Sequence, residues 1–287
     1  MKGTSVFAIL FILFSPVLNG LSWAHASEVE PLYFAPLPVS NPKLSFAKSL
    51  PLVKLIENTL NRPVIPKLYN DYHDIINGYV QGEIDFVELG PMVFLQLSKQ
   101  TDHTFPLASI NHEEGQRFYH CVLAAPIDGI KDIDQLKHNK TIKVALTQPL
   151  STCGNLMTEH LLRQHGLELS ELSYDYLGSH EKVAMALMRN EYQIGGLANF
   201  VAKRYHSFGL NTLSVSDSLP SFTIVGNPQK VSPDELRKLQ QVLLNYRPQT
   251  GWGIGAHGFS PFSQSAFDTL KRIEAQSHTL PLSGDTP

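Results

Sequence analysis

Apolar and polar positions along the chain change period in a regular order. Leu32 to Leu37 is a short apolar run that predicts a strand, and Asn41-Pro42 then offers a helix cap and a first-turn proline. Phe46, Leu50, Val53, Ile56 and Leu60 recur at helical spacing, and Pro63 ends the pattern. Val64 to Tyr69 reads as a second strand, and Asp71-Tyr72 opens a helix with Ile75, Ile76 and Tyr79 inward. Ile84 to Leu89 predicts a third strand, which runs through Gly90-Pro91 into a helix carrying Met92 and Leu95. Strand alternating with helix is the pattern of a parallel α/β sheet.

The pattern repeats further on. Phe118 to Ala125 predicts a strand, Asp134 to His138 a short helix, and Thr141 to Leu146 another strand. A helix carrying Leu156 and Leu161 follows and is closed by Gly166. Next come a strand over Leu172 to Leu177, a helix with Val183, Ala186 and Leu187 inward, and a strand over Ile194 to Ala198. Leu213 to Ser216 and Phe222 to Gly226 read as extended. Ser232-Pro233-Asp234-Glu235 is a helix start, with Ser at the cap, Pro at the first position and Glu at the third, and Leu236, Leu239 and Leu243 carry that helix. A glycine-rich loop over 251–258, a last helix through Phe267 and Leu270, and a frayed tail from Ser277 complete the chain. The expected organisation is two α/β lobes: 27–116 with 214–287, and 117–213. The chain crosses near Glu114 to Phe118 and returns near Leu210 to Leu219, and a cleft between lobes suits a small ligand.

The first residues follow a different logic. Lys2, the apolar run Val6 to Phe14 and the small-x-small site Ala24-His25-Ala26 predict a secretory signal over 1–26, cut after Ala26. That run is shorter than the ~20 residues of a membrane span, and no cysteine beside the cut offers a lipid anchor. The remainder is expected in the periplasm. The whole chain, with 287 residues, 43% hydrophobic, 17% charged and a formal charge of -3, has the composition of an ordinary globular protein, with no basic excess for nucleic acid. A monomer without cofactor or metal is expected. The two cysteines, Cys121 and Cys153, form an even set in a chain sent to an oxidising compartment, so they are either bridged or two separate buried thiols.

Candidate chemistry concentrates in Thr147 to Leu156, a strand-to-helix turn. Ser151 and Thr152 stand where the helix begins, so their hydroxyls and the first unpaired backbone N–H groups share one small volume. The helix dipole adds partial positive charge there, and Gly154 admits close backbone approach, which suits an anion.

Taken in order, Asp71-Tyr72, Gly-Glu-Ile-Asp-Phe to Leu-Gly-Pro over 82–91, Ser151-Thr152-Cys153-Gly154, Gly-Ser-His-Glu over 178–181, and Ser218-Leu219-Pro220 resemble the phosphate/phosphite/phosphonate-binding periplasmic proteins that feed ABC importers. The resemblance implies a type II periplasmic-binding fold, two lobes closing on a ligand, with an ABC permease in the inner membrane as partner. It implies that Ser151, Thr152 and Cys153 hold the phosphoryl oxygens, joined by Tyr72, Tyr119 and His180. Cys153 replaces a serine of the family turn, which weakens one side-chain donor but keeps its backbone N–H. The carboxylates that hold an ammonium in aminoethylphosphonate-binding members correspond to Phe200 and Phe222, and an unpaired buried ammonium is costly. The expected ligand therefore carries no amine there: phosphite, phosphate or a small alkylphosphonate.

Two other classes share these residues. A ligand-binding sensor that presents its closed form to a membrane receptor would use the same pocket. A Cys/His hydrolase would need Cys153 as nucleophile and His180 as base, with no third orienting group evident. His180-Glu181-Lys182-Val183-Ala184 starts like a zinc-binding helix but has Ala184 where the second histidine must stand.

Overall fold

The computed structural model describes residues 30–39, 42–138, 142–247 and 253–278. The expected signal segment, the Asn41 cap, part of the glycine-rich loop and the tail beyond 278 lie outside them. The chain runs β1 (Leu32–Ala35), α1 (Pro42–Leu60), β2 (Val64–Pro66), α2 (Tyr72–Val80), β3 (Phe86–Leu89), α3 (Pro91–Gln100) and β4 (Phe105–Ile110). It continues through β5 (Phe118–Tyr119), β6 (Cys121–Pro126), β7 (Lys143–Leu146), α4 (Met157–Gln164), β8 (Ser173–Tyr176), α5 (His180–Met188), β9 (Ile194–Ala198), α6 (Asn199–His206) and β10 (Leu210–Val215). Last come β11 (Leu219–Pro220), β12 (Thr223–Gly226), α7 (Pro233–Asn245), β13 (Phe259–Ser260) and α8 (Asp268–Glu274).

Two sheets form two lobes. The first has the order β13-β4-β12-β3-β1-β2, the second β10-β6-β9-β7-β8. Each is mixed rather than purely parallel. β1 pairs parallel with β2 and β3, and β7 with β8 and β9, as the strand-helix alternation predicts. β12, however, returns from the second lobe and inserts antiparallel between β3 and β4. A strand re-entering a sheet from the far lobe arrives from the opposite end, and local periodicity does not encode that direction. Between the sheets, β5 and β11 pair as a short antiparallel ribbon, Leu219 opposite Tyr119, so both crossings run side by side. β10 stays in the second sheet through Val215, opposite Val122, so the chain leaves that sheet two residues beyond 213.

Helix faces follow burial with one exception. On α7 the expected Leu236, Leu239 and Leu243 are all buried, and Ser232 and Glu235 complete a reciprocal cap. On α1 the buried face is Ser45, Ser49, Leu52, Val53, Ile56 and Leu60, while Phe46 and Leu50 are exposed. The apolar spacing around Phe46 and Leu50 marked a neighbouring stripe of the helix, because two serines occupy the inward positions of its first half. Gly166 ends α4's segment with φ +74, a left-handed conformation that glycine adopts without a Cβ clash.

Candidate functional site

A cavity of about 20 Å³ lies between the lobes, and its wall includes Tyr72, Gly90, Ser151, Thr152, Cys153 and His180. Every one of these residues stands at the start of a helix. Tyr72 is the first residue of α2, behind the cap Asp71, whose carboxylate accepts from Asp74 N–H. Gly90 is the cap of α3, with Pro91 at its first position. His180 begins α5 behind Ser179, whose hydroxyl accepts from Lys182 N–H. Ser151 caps the turn leading to α4 by accepting from Gly154 N–H at 3.0 Å. Helix N-termini carry partial positive charge and unpaired N–H groups, so four of them around one cavity, two from each lobe, make an anion-attracting volume without any lysine or arginine.

The turn itself is tightly built. Residues Thr152–Leu156 form one π-helical turn before α4, a geometry often found at functional positions. Thr147 N–H donates to Gly154 O at 3.1 Å, which seats the turn against the end of β7. A Cβ on Gly154 would overlap the Thr147 side chain, so any side chain there forces Thr147 to shift. Cys153 is joined to Cys121 by a disulfide, which ties the turn to the first residue of β6. With its sulfur so engaged, Cys153 has no thiolate to offer as a nucleophile beside His180.

Electrostatics at the cavity follow from burial. Tyr72 and Tyr119 are buried, and burial pushes both phenols well above their ordinary range, with a hydrogen bond from the Thr152 hydroxyl opposing the rise at Tyr119. They therefore act as neutral hydroxyls. Burial pushes the His180 imidazole down to about 4, against the opposing pull of Glu181, and its Nδ1 is buried without a partner among the described residues. A neutral imidazole with one unsatisfied nitrogen is a ready hydrogen-bonding group for a ligand.

Direct contacts join the lobes at this point. Met92 N–H, in the first turn of α3, donates to Thr152 Oγ1 at 3.0 Å. Tyr72 N–H donates to Gln148 Oε1 at 3.1 Å, and Gln148 Nε2 donates to Gly178 O at 3.0 Å. Neither Gln148 nor the Met92 N–H carries a local signal of this role. Gln148 lies inside the Thr147 to Leu156 stretch, but nothing in its neighbourhood signals a partner on the other lobe.

Leu37, Val39, Val93, Leu150, Ala198 and Phe222 form the apolar remainder of the wall. Phe222 thus faces the small cavity. Phe200 does not: it stacks on His112 with ring centroids 5.3 Å apart and lines a larger, open cavity of about 930 Å³ alongside. Tyr119, Phe222, Leu37 and Val39 belong to both walls, so the two volumes adjoin. His112 Nε2 lies 2.8 Å from Ser221 Oγ, and burial, reinforced by His257, pushes its imidazole down to about 4.

The sequence model of the family described as ABC transporter, phosphonate, periplasmic substrate-binding protein matches residues 34–267. The chain belongs to this family. Phosphate-import protein PhnD of Mycolicibacterium smegmatis is 26% identical over 175 residues, 58% of this chain and 54% of that protein. The match thus spans about half the length of this curated relative. PhnD1 of Prochlorococcus marinus, solved in complex with methylphosphonate, gives a TM-score of 0.75 at 17% identity, covering 86% of this chain and 97% of that one. A binding-protein component of an ABC phosphonate transporter from Pseudomonas aeruginosa gives 0.74 at 16% identity, covering 88% and 91%. At such identities the likeness establishes the fold, that of periplasmic binding proteins, with this member of the phosphonate-binding family as a further example. The family is one of substrate-binding transport components rather than enzymes.

Proposed function

We propose that this member of the phosphonate-binding family captures a small phosphorus oxyanion in the periplasm and delivers it to an ABC permease. The observation that carries the reading is the convergence of four helix N-termini, four hydroxyl-bearing side chains and a neutral histidine on one small interlobe cavity. A water needs roughly 10–15 Å³, so the cavity is the size of one or two waters, which limits it to a compact group and excludes a bulky ligand head. Tyr72, Tyr119, Ser151, Thr152 and His180 supply side-chain hydrogen bonds, and Cys153 supplies its backbone N–H. Four to six charge-assisted hydrogen bonds of ~1.5–3 kcal/mol each exceed the ~8 kcal/mol that micromolar affinity requires, before ordering costs.

The apolar side of the wall bears on which oxyanion is taken. Phe222 occupies a position where an amine-binding carboxylate would be needed, and Leu37, Val93 and Leu150 extend that surface. A P–H or P–CH3 group satisfies it, whereas a fourth P–OH leaves a hydroxyl without a partner, a discrimination of about 1–3 kcal/mol. We therefore assign phosphite or methylphosphonate as preferred ligands over phosphate. A relative named for phosphate import and a structural neighbour holding methylphosphonate fall in the same chemical class.

A thermal-shift screen of the mature chain, stripped of ligand by unfolding and refolding, tests this. Ligands are phosphite, phosphate, methylphosphonate, 2-aminoethylphosphonate and sulfate. A ligand at about a hundred times its Kd adds ~2.7 kcal/mol of stability. Shifts with phosphite and methylphosphonate support the reading. A larger shift with 2-aminoethylphosphonate overturns the assignment of the apolar wall, and no shift with any phosphorus anion overturns the proposal.

A further inference from the structure

The larger cavity has a polar end that the small oxyanions leave unused. Ser45 and Lys48, three residues apart on α1, and Glu88 on β3 all line it. Ser45 Oγ is buried and has no hydrogen-bond partner among the described residues. Glu88 is 9% exposed, and Leu37 N–H donates to its Oε2 at 3.2 Å. Lys48 has no ion-pair partner among the described residues and acts on the Glu88 carboxylate through the field alone. Elsewhere on the same wall the charges are matched: Lys203 pairs with Glu113, and Arg204 reaches Glu181. A buried hydroxyl without a partner and a nearly buried carboxylate with one backbone donor are each costly, and their coincidence with a partly exposed, unpaired ammonium in one cavity is the mark of a ligand site.

This end is within reach of the phosphoryl cavity. Glu88 and Gly90 are two residues apart in extended chain, so they face the same side of the sheet roughly 6.6 Å apart. Gly90 walls the small cavity and Glu88 the large one, and the shared Leu37 and Phe222 lie between. A ligand anchored by its phosphoryl head reaches Glu88 with an arm of a few carbons passing beside the Phe222 ring.

We propose that Ser45, Lys48 and Glu88 form a second subsite that takes the zwitterionic end of an ω-phosphono-α-amino acid, with its phosphonate in the small cavity. The ammonium meets the Glu88 carboxylate, and the carboxylate meets Lys48 Nζ and the Ser45 hydroxyl. Both charges of the ligand and all three unmatched groups of the wall are then satisfied together. This rests on the reading of the small cavity as the phosphoryl site.

The test is calorimetric titration of the stripped, refolded mature protein with methylphosphonate, propylphosphonate, 2-amino-4-phosphonobutanoate and 2-amino-5-phosphonopentanoate. At least one amino acid is expected to bind about tenfold or more tightly than propylphosphonate, the gain of one to two charge-assisted contacts. Glu88→Gln and, separately, Lys48→Met are expected to reduce the ratio of amino acid to methylphosphonate affinity by about tenfold. Lys48 sits on a partly exposed helix face, so its variant remains informative if the Glu88 variant does not fold. Amino acids that bind no better than propylphosphonate, or a ratio unmoved in the Lys48 variant, overturn the second subsite while methylphosphonate binding stands. Failure of methylphosphonate and both amino acids together overturns the phosphoryl reading on which it rests.

Discussion

Thr152→Val isolates the coupling between lobe closure and ligand affinity. Valine keeps the volume and β-branching of threonine and removes its oxygen. In the closed arrangement the Met92 N–H then loses its acceptor, and Met92 is fully buried. As a first-turn helix donor, this N–H has no partner within α3. Leaving it buried and unpaired costs about 1–3 kcal/mol. Opening the lobes gives the N–H to water and removes the cost, so the penalty falls on the closed form alone. If the closed form holds the ligand, Kd rises by the same free energy, about 5- to 150-fold, before any loss of direct contact from the missing hydroxyl. The assay is isothermal titration with methylphosphonate, combined with small-angle scattering of the ligand-free variant, which is expected to be more extended than the parent. Ser151→Ala is the contrasting change: its hydroxyl caps Gly154 N–H inside one lobe, so its loss costs about 1 kcal/mol of fold stability and the hydroxyl's own ligand contact, but leaves the scattering of the ligand-free protein unchanged. A folded Thr152→Val protein with unchanged affinity and unchanged scattering refutes the argument.

Three further outcomes follow from the same geometry. Burial pushes the Glu88 carboxyl from its ordinary value near 4.5 up to about 7. Between those pH values the folded chain holds more protons than the unfolded one, so Glu88 makes stability fall as pH rises through the window, by up to about 3 kcal/mol in total. His112 and His180, both pushed down to about 4, act with the opposite sign and cost stability as pH falls from about 6.5. Urea-denaturation curves across pH are therefore expected to show Glu88→Gln gaining on the parent as pH rises towards 7, and a constant difference refutes the assignment. Gly154→Ala drives a methyl group into Thr147, so a loss of about 1–3 kcal/mol and weakened anion binding are expected; parental stability by urea denaturation contradicts the packing argument. Replacing both Cys121 and Cys153 by alanine releases a crosslink across a separation of 32 residues, worth about 3–4 kcal/mol on the chain-entropy model, readable as a lower urea midpoint that reductant does not change further.

What the sequence determined by itself is what depends on neighbours. The strand-turn-helix at Thr147 to Leu156, the Asp71 cap before Tyr72, the Ser232 capping box and the buried face of α7 are all set within a few residues. Spacing, cap chemistry and first-turn proline encode them directly. Even there, burial overrode pattern on α1, where Ser45 and Ser49 face inward and Phe46 and Leu50 face out.

Tertiary structure decided everything that joins distant segments. Thr152 meets Met92 across 60 residues, Gln148 meets Tyr72 across 76, and Glu88 meets Leu37 across 51. Hydrogen bonds of that kind leave no periodicity in the chain, because a backbone N–H is present at nearly every residue and its partner is chosen by where the lobes come to rest. The same holds for β12 between β3 and β4, and for Phe200 standing one ring away from the small cavity while Phe222 faces it. Local sequence set four helix starts; the packing of two sheets around one ribbon brought them to a common point, where partial charges too weak to bind an anion singly act on the same one.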